Sequence, residues 1–352
     1  MKKLNWIEIT ALYIGTIMGA GFASGRECWQ FFGVFGNMGY YGAAIFTIGF
    51  ILVSLMLTYI ARSKNTNQLG KLISPFNNRI IDAIPGNILA LSFFADLIVM
   101  SAAGGSLLNQ QFGLHKAIGG LLIVVLALIT VLGDYDRISS VFKYLVPVLF
   151  TSAVVMIILI IRADYDQSGT TEFEPGAMSP NWLASALVFI SYNGMGLPAI
   201  IGNSAPVAKS RKHAYIGAIV GSLCLGGLTI ALMKALTSDM AFTDSCDLPL
   251  LGYSIRLSPV LNAVYAIILF GSIYSTGSSL YCGFTTVFPE TERKKYVTAI
   301  GALLGFGLGL TGFKNLIEYL YPIQGYIGYT FIIMITINFF KELIRNRKFN
   351  NT

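Results

Sequence analysis

Ten long apolar segments run along the 352 residues of this chain, and they constrain its fold more than any other feature. A helix needs about 20 mostly apolar residues to cross the hydrocarbon core of a bilayer. Lipid offers no hydrogen-bond partners, so such segments must be helical or shielded from lipid. The predicted spans are Trp6–Phe32, Met38–Ile60, Ile84–Leu108, Ile118–Leu132, Val141–Ile161, Trp182–Ile201, Ile216–Leu236, Val260–Phe284, Val297–Leu310 and Leu316–Phe339.

The composition agrees with a membrane protein and excludes several other classes. Only 12% of the residues are charged, whereas a soluble domain carries about 25%. No HExxH, GxSxG or P-loop motif occurs. The GxGxxG match at Gly307–Gly312 lies inside a predicted span with no strand before it, so its glycines indicate close packing. We predict no enzyme, no metal or cofactor and no nucleic-acid partner; the expected partners are the lipid bilayer and a small-molecule solute.

The lysines and arginines indicate the orientation of the chain. With the N-terminus inside, the cytoplasmic segments hold 18 of the 24 Lys and Arg residues, and the external segments hold five. An excess of basic residues in short cytoplasmic loops is the usual signature of topology. The sequence therefore predicts a multi-pass protein of the plasma membrane with both termini in the cytoplasm.

The number of spans favours an internal repeat. Ten spans divide into two sets of five, and an odd number per half makes the second half run opposite to the first. Inverted repeats of this kind are common in secondary transporters. We predict an all-α, single-domain protein of ten transmembrane helices, with one repeat over about residues 6–162 and the other over about 181–340.

The first span of each half carries helix-weakening residues at mid-membrane depth. Span 1 holds four glycines and a serine between Gly15 and Gly25, and span 6 contains the run Ser191–Pro198. Glycine and proline both weaken a helix. Close packing through Gly15 and Gly19 is an alternative for span 1 alone. Paired breaks at corresponding positions indicate a substrate site, so we predict that helices 1 and 6 are discontinuous.

The two breaks offer complementary backbone groups to a zwitterionic solute. The N-terminus of a half-helix suits an anion, so we expect the amides of Gly21, Phe22 and Ala23 to bind a carboxylate. Carbonyls at 191–194 would bind the ammonium group, and Tyr192 or Asn193 would close the site. The predicted substrate-binding residues are Gly19, Gly21, Phe22, Ala23, Ser24, Tyr192, Asn193, Gly194 and Asp96.

Two acids inside predicted spans need partners of their own. Asp96 lies midway along span 3 with no hydrophilic neighbour in sequence. A charged residue at this depth is costly and marks a functional position, so Asp96 either faces the substrate amine or carries a proton. Glu27, at the end of the span 1 break, could pair with Lys116 or with water.

The residues of the span 1 break also carry a family resemblance. The run from Gly19 to Gly25 resembles the glycine signature of the amino acid–polyamine–organocation superfamily, whose members share the LeuT fold of five plus five inverted helices. The longer string from Gly15 to Glu27 resembles the YkvI-like family of uncharacterised bacterial membrane proteins. The resemblance implies an alternating-access transporter and supplies no substrate.

The resemblance implies further roles for charged and hydroxyl residues. Arg26 and Glu318 match an outer gate by their depth, although both could instead reach interfacial water. Lys143 is similar to the lysine of proton-coupled relatives, although it could be an interfacial anchor. The hydroxyls of span 8 would bind sodium, or simply join helices by hydrogen bonds; they are Ser275, Thr276, Ser278 and Ser279. The coupling ion, H⁺ or Na⁺, is therefore left open.

Together these features predict an ion- or proton-coupled secondary transporter. The expected substrate is an amino acid or a similar small amine-bearing solute, moved by alternating access. The alternatives are a ligand sensor that uses the transporter fold without net transport, and an ion channel. A channel would need a ring of charges or carbonyls along a pore, and the sequence contains no such ring.

Overall fold

The computed structural model describes residues 3–76, 78–133, 135–163, 165, 173–289 and 291–350, except for the side chains at 79–80, 135–143, 292 and 348–350. Helices account for nearly all of the described chain, with a short 3-10 turn at Gly33–Phe35. The helices are α1 (Trp6–Ile17), α2 (Ala20–Ser24), α3 (Arg26–Phe31), α4 (Asn37–Lys64), α5 (Leu69–Ile73), α6 (Arg79–Phe112), α7 (Lys116–Leu132), α8 (Tyr135–Arg162), α9 (Trp182–Gly194), α10 (Leu197–Ser204), α11 (Arg211–Leu236), α12 (Met240–Ser245), α13 (Pro249–Leu257), α14 (Pro259–Thr285), α15 (Glu292–Gly309) and α16 (Phe313–Asn350).

Each of the ten predicted spans coincides with one helix or with a series of short helices. Among the described residues, six helices are long and apolar enough to cross a membrane: α4, α6, α8, α11, α14 and α16. Helices α9 and α10 together make a seventh, bent by 44°, whereas α1 and α7 are apolar but shorter. The all-helical membrane architecture is thus confirmed with six or seven clear spans, and the count of ten stays a prediction.

Local sequence signals set the ends of several helices. Asn5 and Glu8 form a reciprocal cap at the start of α1: the Glu8 amide donates to Asn5 Oδ1 at 2.9 Å, and the Asn5 amide donates to Glu8 Oε2 at 2.8 Å. This pairing satisfies two amides that a helix start leaves without partners. Asn181 and Ser210 accept from backbone amides at the starts of α9 and α11 in the same way.

Small residues let some helices approach closely. A Cβ on Gly119 of α7 would overlap the carbonyl oxygen of Gly104 on α6, so glycine is required for this contact. The packing predicted for the GxGxxG glycines holds at only one position. Gly309 lies against Ser101, whereas Gly307 has open space at its Cβ position and Gly312 has a positive φ of 99° after the end of α15. The prediction of a shared packing face was therefore wrong for Gly307 and Gly312.

Helix α1 ends in the middle of predicted span 1. The Gly19 amide donates to Ile17 O at 2.8 Å instead of to Gly15, so the helical hydrogen-bond ladder stops there. The chain resumes as the five-residue helix α2 and turns again at Gly25, whose φ of 82° lies in the left-handed region that favours glycine. In predicted span 6, α9 ends at Gly194 and α10 begins at Leu197.

The two interrupted segments lie side by side within the bundle. Helix α1 contacts α10, helix α2 contacts α6 and α14, and helix α9 packs along α16. The backbone breaks therefore face a common interior space that is completed by α6, α14 and α16. This arrangement brings residues from five distant parts of the chain to one place.

Candidate substrate-binding site

A cavity of about 110 Å³ lies between the two helix breaks. Its lining combines small residues, aromatic rings and polar side chains. The lining residues are Thr16, Ile17, Gly19, Ala20, Gly21, Glu27, Leu89, Ser92, Phe93, Asp96, Met100, Tyr192, Asn193, Met195, Gly196, Thr276, Leu280, Tyr321 and Gln324. Two of these are acidic and none is basic. The structure also has larger surface openings, one lined mainly by polar and charged residues of α4, α5, α6 and α16 and another lined mainly by apolar side chains of α8 and α14.

Asp96 of α6 is held by Gln324 of α16. The Gln324 amide nitrogen donates to Asp96 Oδ1 and to Ser92 O, each at 3.1 Å. Because both partners are acceptors, the orientation of the amide is fixed, and its oxygen points the other way. Gln324 is only 3% exposed, and its Oε1 has no hydrogen-bond partner among the described residues. Gln324 is also one of the residues that line the cavity.

Glu27 folds back from α3 onto the start of α2. A Cβ added to Gly21 would overlap the Glu27 carboxylate, so the carboxylate lies directly against the Gly21 backbone. Glu27 is 4% exposed and interacts with Asp96 and with the Tyr321 hydroxyl. The Tyr321 ring stacks on Tyr192 with a centroid separation of 4.3 Å and an angle of 23°. The cavity lining thus includes two acidic residues and a stacked pair of tyrosines.

The structure separates the predicted substrate-binding residues into two groups. Five of them line the cavity: Gly19, Gly21, Asp96, Tyr192 and Asn193. The other four, Phe22, Ala23, Ser24 and Gly194, do not appear in its lining. Ala23 donates its amide to Gly19 O at 2.9 Å, and the Ser24 hydroxyl donates to Gly21 O at 2.9 Å. The Ala23 amide and the Ser24 hydroxyl are therefore already hydrogen-bonded within the span 1 segment and are not free for a solute.

The predicted coupling residues of α14 do not converge on one point. Thr276 borders the cavity, Ser279 is exposed, and the Ser275 hydroxyl donates to Ser272 O at 3.1 Å. Ser278 Oγ is buried without a hydrogen-bond partner among the described residues. The side chain of Lys143 lies outside the described residues. Nor do the described His, Cys, Asp and Glu side chains form a group of three that could hold a metal ion.

Arg26 is buried at the end of the molecule predicted to be external. Its guanidinium donates to Asp244 O at 3.2 Å, to Cys246 O at 3.3 Å and to Gln30 Oε1 at 3.2 Å. The acid paired with it is Asp244, with Nη2 and Oδ1 3.4 Å apart. Glu318, the acid predicted for this pairing, exerts only the smallest of the electrostatic effects on Arg26. The structure therefore assigns Arg26 a partner in the α12 segment instead of in α16.

Asp244 joins three parts of the chain. Besides Arg26, its carboxylate accepts from Trp29 Nε1 at 3.0 Å and from Lys314 Nζ at 2.9 Å. Partial burial by itself would raise the pKa of Asp244, but these donors and cations outweigh burial and hold the pKa below its ordinary value. We call Arg26, Trp29, Asp244 and Lys314 the outer network.

Asp247 has a similar role a few residues further along. It forms an ion pair with Lys116 and accepts from the Ser106 hydroxyl at 2.8 Å. Burial opposes ionisation, yet these partners lower the pKa of Asp247. Lys116 is thus paired with Asp247 and not with Glu27, for which the sequence left Lys116 and water open as partners.

Sequence reasoning missed three residues that shape the cavity. Glu27 was weighed as a charged residue but was given no place in the site. Tyr321 and Gln324 lie three positions apart on α16, a spacing that places both on one face of a helix. The amide side chain of Gln324 inside a mostly apolar span was the available signal. No sequence feature showed that this face meets Asp96.

The fold defines a class of protein. Among solved structures, the chain resembles the inward-facing conformation of Mhp1 with a TM-score of 0.62 and 11% identity, over 95% of this chain and 78% of that one. It also resembles a manganese transporter of Eremococcus coleocola with a TM-score of 0.55 and 14% identity, over 98% of this chain and 89% of that one. The chain is therefore a membrane protein with the fold of LeuT-like transporters, and these neighbours are transporters rather than enzymes.

The sequence comparison is more specific. The chain is 25% identical over 333 residues to the uncharacterized membrane protein YkvI of Bacillus subtilis strain 168, covering 92% of this chain and 93% of YkvI. It is equally similar, at 25% over 333 residues, to the uncharacterized protein YyaD of the same organism. No family model matches the chain. The resemblance to YkvI-like proteins and to LeuT-fold transporters is thus confirmed.

Proposed function

We propose that the protein is a secondary transporter that moves a small amine-bearing solute, such as an amino acid, by alternating access. One observation carries this proposal: a cavity lined by two acidic residues lies where two helix interruptions meet. An acid inside a membrane bundle is costly and is typical of a substrate or ion pathway. The transporter fold of the solved neighbours supports the same class.

The proposal includes the architecture expected from the sequence. Ten transmembrane helices would form two inverted repeats, about 6–162 and 181–340, with both termini in the cytoplasm. The interruptions after Ile17 and after Gly194 fall in the first span of each repeat, which supports this division. Gly19 and Gly196, one from each interruption, both border the cavity, as the repeat requires.

Alternating access needs a barrier on each side of the site. The outer network closes the side predicted to be external, because it ties α3 to the α12 segment and to the start of α16. Coupling would use H⁺, through Lys143 or the cavity acids, or Na⁺ near Thr276. No observation favours a sensor or a channel over a transporter.

Purified protein in proteoliposomes tests the proposal. A panel of amino acids and short alkylamines is first screened for thermal stabilisation, and each hit is then assayed for uptake under a pH gradient or a sodium gradient. We expect uptake that is lost in Gly21→Val, where the new side chain collides with Glu27, and kept in Gly307→Ala, where space is open. Stabilisation without uptake under any gradient would indicate a sensor and contradict the proposal.

A further inference from the structure

Hydrogen-bond acceptors are prominent among the side chains that line the cavity. Glu27, Asp96 and Gln324 all line it, and Gln324 Oε1 has no hydrogen-bond partner among the described residues. An ammonium group brings three N–H donors and no acceptor. A positively charged nitrogen can donate to acceptors of this kind, whereas a carboxylate can donate to none of them.

The Glu27 carboxylate lies beside the backbone segment that the sequence assigns to a substrate carboxylate. The sequence predicts that the amides at the start of α2 bind a substrate carboxylate, but the Glu27 carboxylate lies against Gly21 at that point. Ala23, also expected to donate, is bonded to Gly19 O. A second carboxylate here would meet a like charge inside a buried space, which costs several kcal/mol in general.

The aromatic lining also suits a cation. Tyr192 and Tyr321 stack beside the two acids, and Phe93 borders the same cavity. The faces of aromatic rings attract ammonium groups, with a larger effect where water is excluded. Among the described residues, no basic side chain lines the cavity to balance an anionic solute.

From these contacts we propose that the solute is a small organic ammonium ion that lacks a carboxylate beside its amine, with Glu27 standing in for that missing carboxylate. Within this arrangement Asp96 and Gln324 bind the ammonium group from the α6 and α16 side. The inference narrows the proposed function from amine-bearing solutes in general to amines that are not amino acids. It therefore rests on the proposed transport activity.

Matched pairs of probes that differ only by a carboxylate test the inference. Isobutylamine is compared with valine, and putrescine with ornithine, by calorimetric binding to the detergent-purified protein. We expect each amine to bind about 100-fold more tightly than its amino acid, because a like-charge contact of this kind costs roughly 3 kcal/mol. Mn²⁺ is titrated alongside, because two carboxyl groups also suit a divalent cation.

Isosteric variants then identify the group responsible. Glu27→Gln removes one charge while keeping the shape, so it should weaken amine binding about 100-fold and narrow or reverse the preference within each pair. Asp96→Asn should weaken binding of the amine without strengthening binding of the amino acid, because Asp96 does not lie against Gly21. Glu174→Gln, on an exposed residue, is the matched control and should behave as wild type.

Each outcome decides between distinct conclusions. Tighter binding of valine or ornithine to wild-type protein would overturn the inference while leaving an amino acid transporter intact. Binding of Mn²⁺ with neither amine would assign the acids to a metal and would also overturn it. If neither pair binds and the solute panel shows no uptake in proteoliposomes, the proposed function fails as well.

Discussion

Removing the charge of Asp244 should open the outer network. The variant Asp244→Asn keeps the shape of the side chain but removes the negative charge facing Arg26 and Lys314. A buried hydrogen bond to a charged group contributes about 1.5–3 kcal/mol, and a partly exposed ion pair contributes about 0–1 kcal/mol. Arg26 is fully buried, whereas the Lys314 side chain is 39% exposed. The closed arrangement should therefore lose about 3 kcal/mol, which corresponds to about a 100-fold rise in the ratio of open to closed molecules.

Spin labels report this ratio directly. Cysteines introduced at the exposed positions Ala241 on α12 and Asn315 on α16, in a background lacking the native cysteines, allow the distance between the two helices to be measured by pulsed electron paramagnetic resonance. We expect a longer-distance population to grow in Asp244→Asn. Asp239→Asn is the control, because Asp239 pairs with the exposed Arg256 and asparagine preserves its cap on α12.

Two results would refute this reasoning. An unchanged distance distribution in Asp244→Asn would mean that the outer network does not hold α12 against α16. An equal change in Asp239→Asn would mean that any loss of charge in this segment disturbs it, so that no specific role belongs to the Asp244 carboxylate.

Three further predictions address pH, coupling and orientation. The pKa of Asp244 is lowered in the folded protein, so its carboxylate stabilises the closed arrangement fully above the ordinary pKa near 3.9, and this stabilisation is lost as pH falls through the lower folded pKa. The closed population should therefore stay constant from about pH 8 to 5 and decline below about pH 4. Lys143→Ala should abolish accumulation driven by a pH gradient while solute exchange persists, and sodium-driven uptake that survives the substitution would move the coupling site to α14. A cysteine at Asn67 should be protected from impermeant reagent in intact cells and one at Ala241 should react; the reverse pattern would invert the topology.

The helices and their interruptions could be predicted from the sequence because both depend on local composition. Apolar segments of about 20 residues match the thickness of the hydrocarbon core, so they predict transmembrane helices. Glycine runs weaken a helix wherever they occur, and the break after Ile17 falls within the predicted run. The GxGxxG glycines show the limit of this reasoning, because open space at Gly307 depends on neighbours that the local sequence does not specify.

The partners of the charged residues could not be predicted because they are distant in sequence. Arg26 and Asp244 are 218 positions apart, and Asp96 and Gln324 are 228 apart. Depth in the membrane favoured Glu318 as the acidic partner of Arg26. Depth alone does not determine which segment packs over the end of a helix, and here the α12 segment supplies Asp244. The position of Glu27 also escaped prediction, because its side chain reaches back over α2 instead of following its own helix.

Counterflow in proteoliposomes tests the central claim most directly, since exchange requires alternating access but no knowledge of the coupling ion. Vesicles are loaded with unlabelled isobutylamine, valine, putrescine or ornithine and diluted into a trace of the same labelled compound. The account predicts transient, saturable accumulation of label for at least one amine with wild-type protein, and none above empty vesicles with Gly21→Val. Binding of a probe without any counterflow would contradict the claim that this cavity is a transport site.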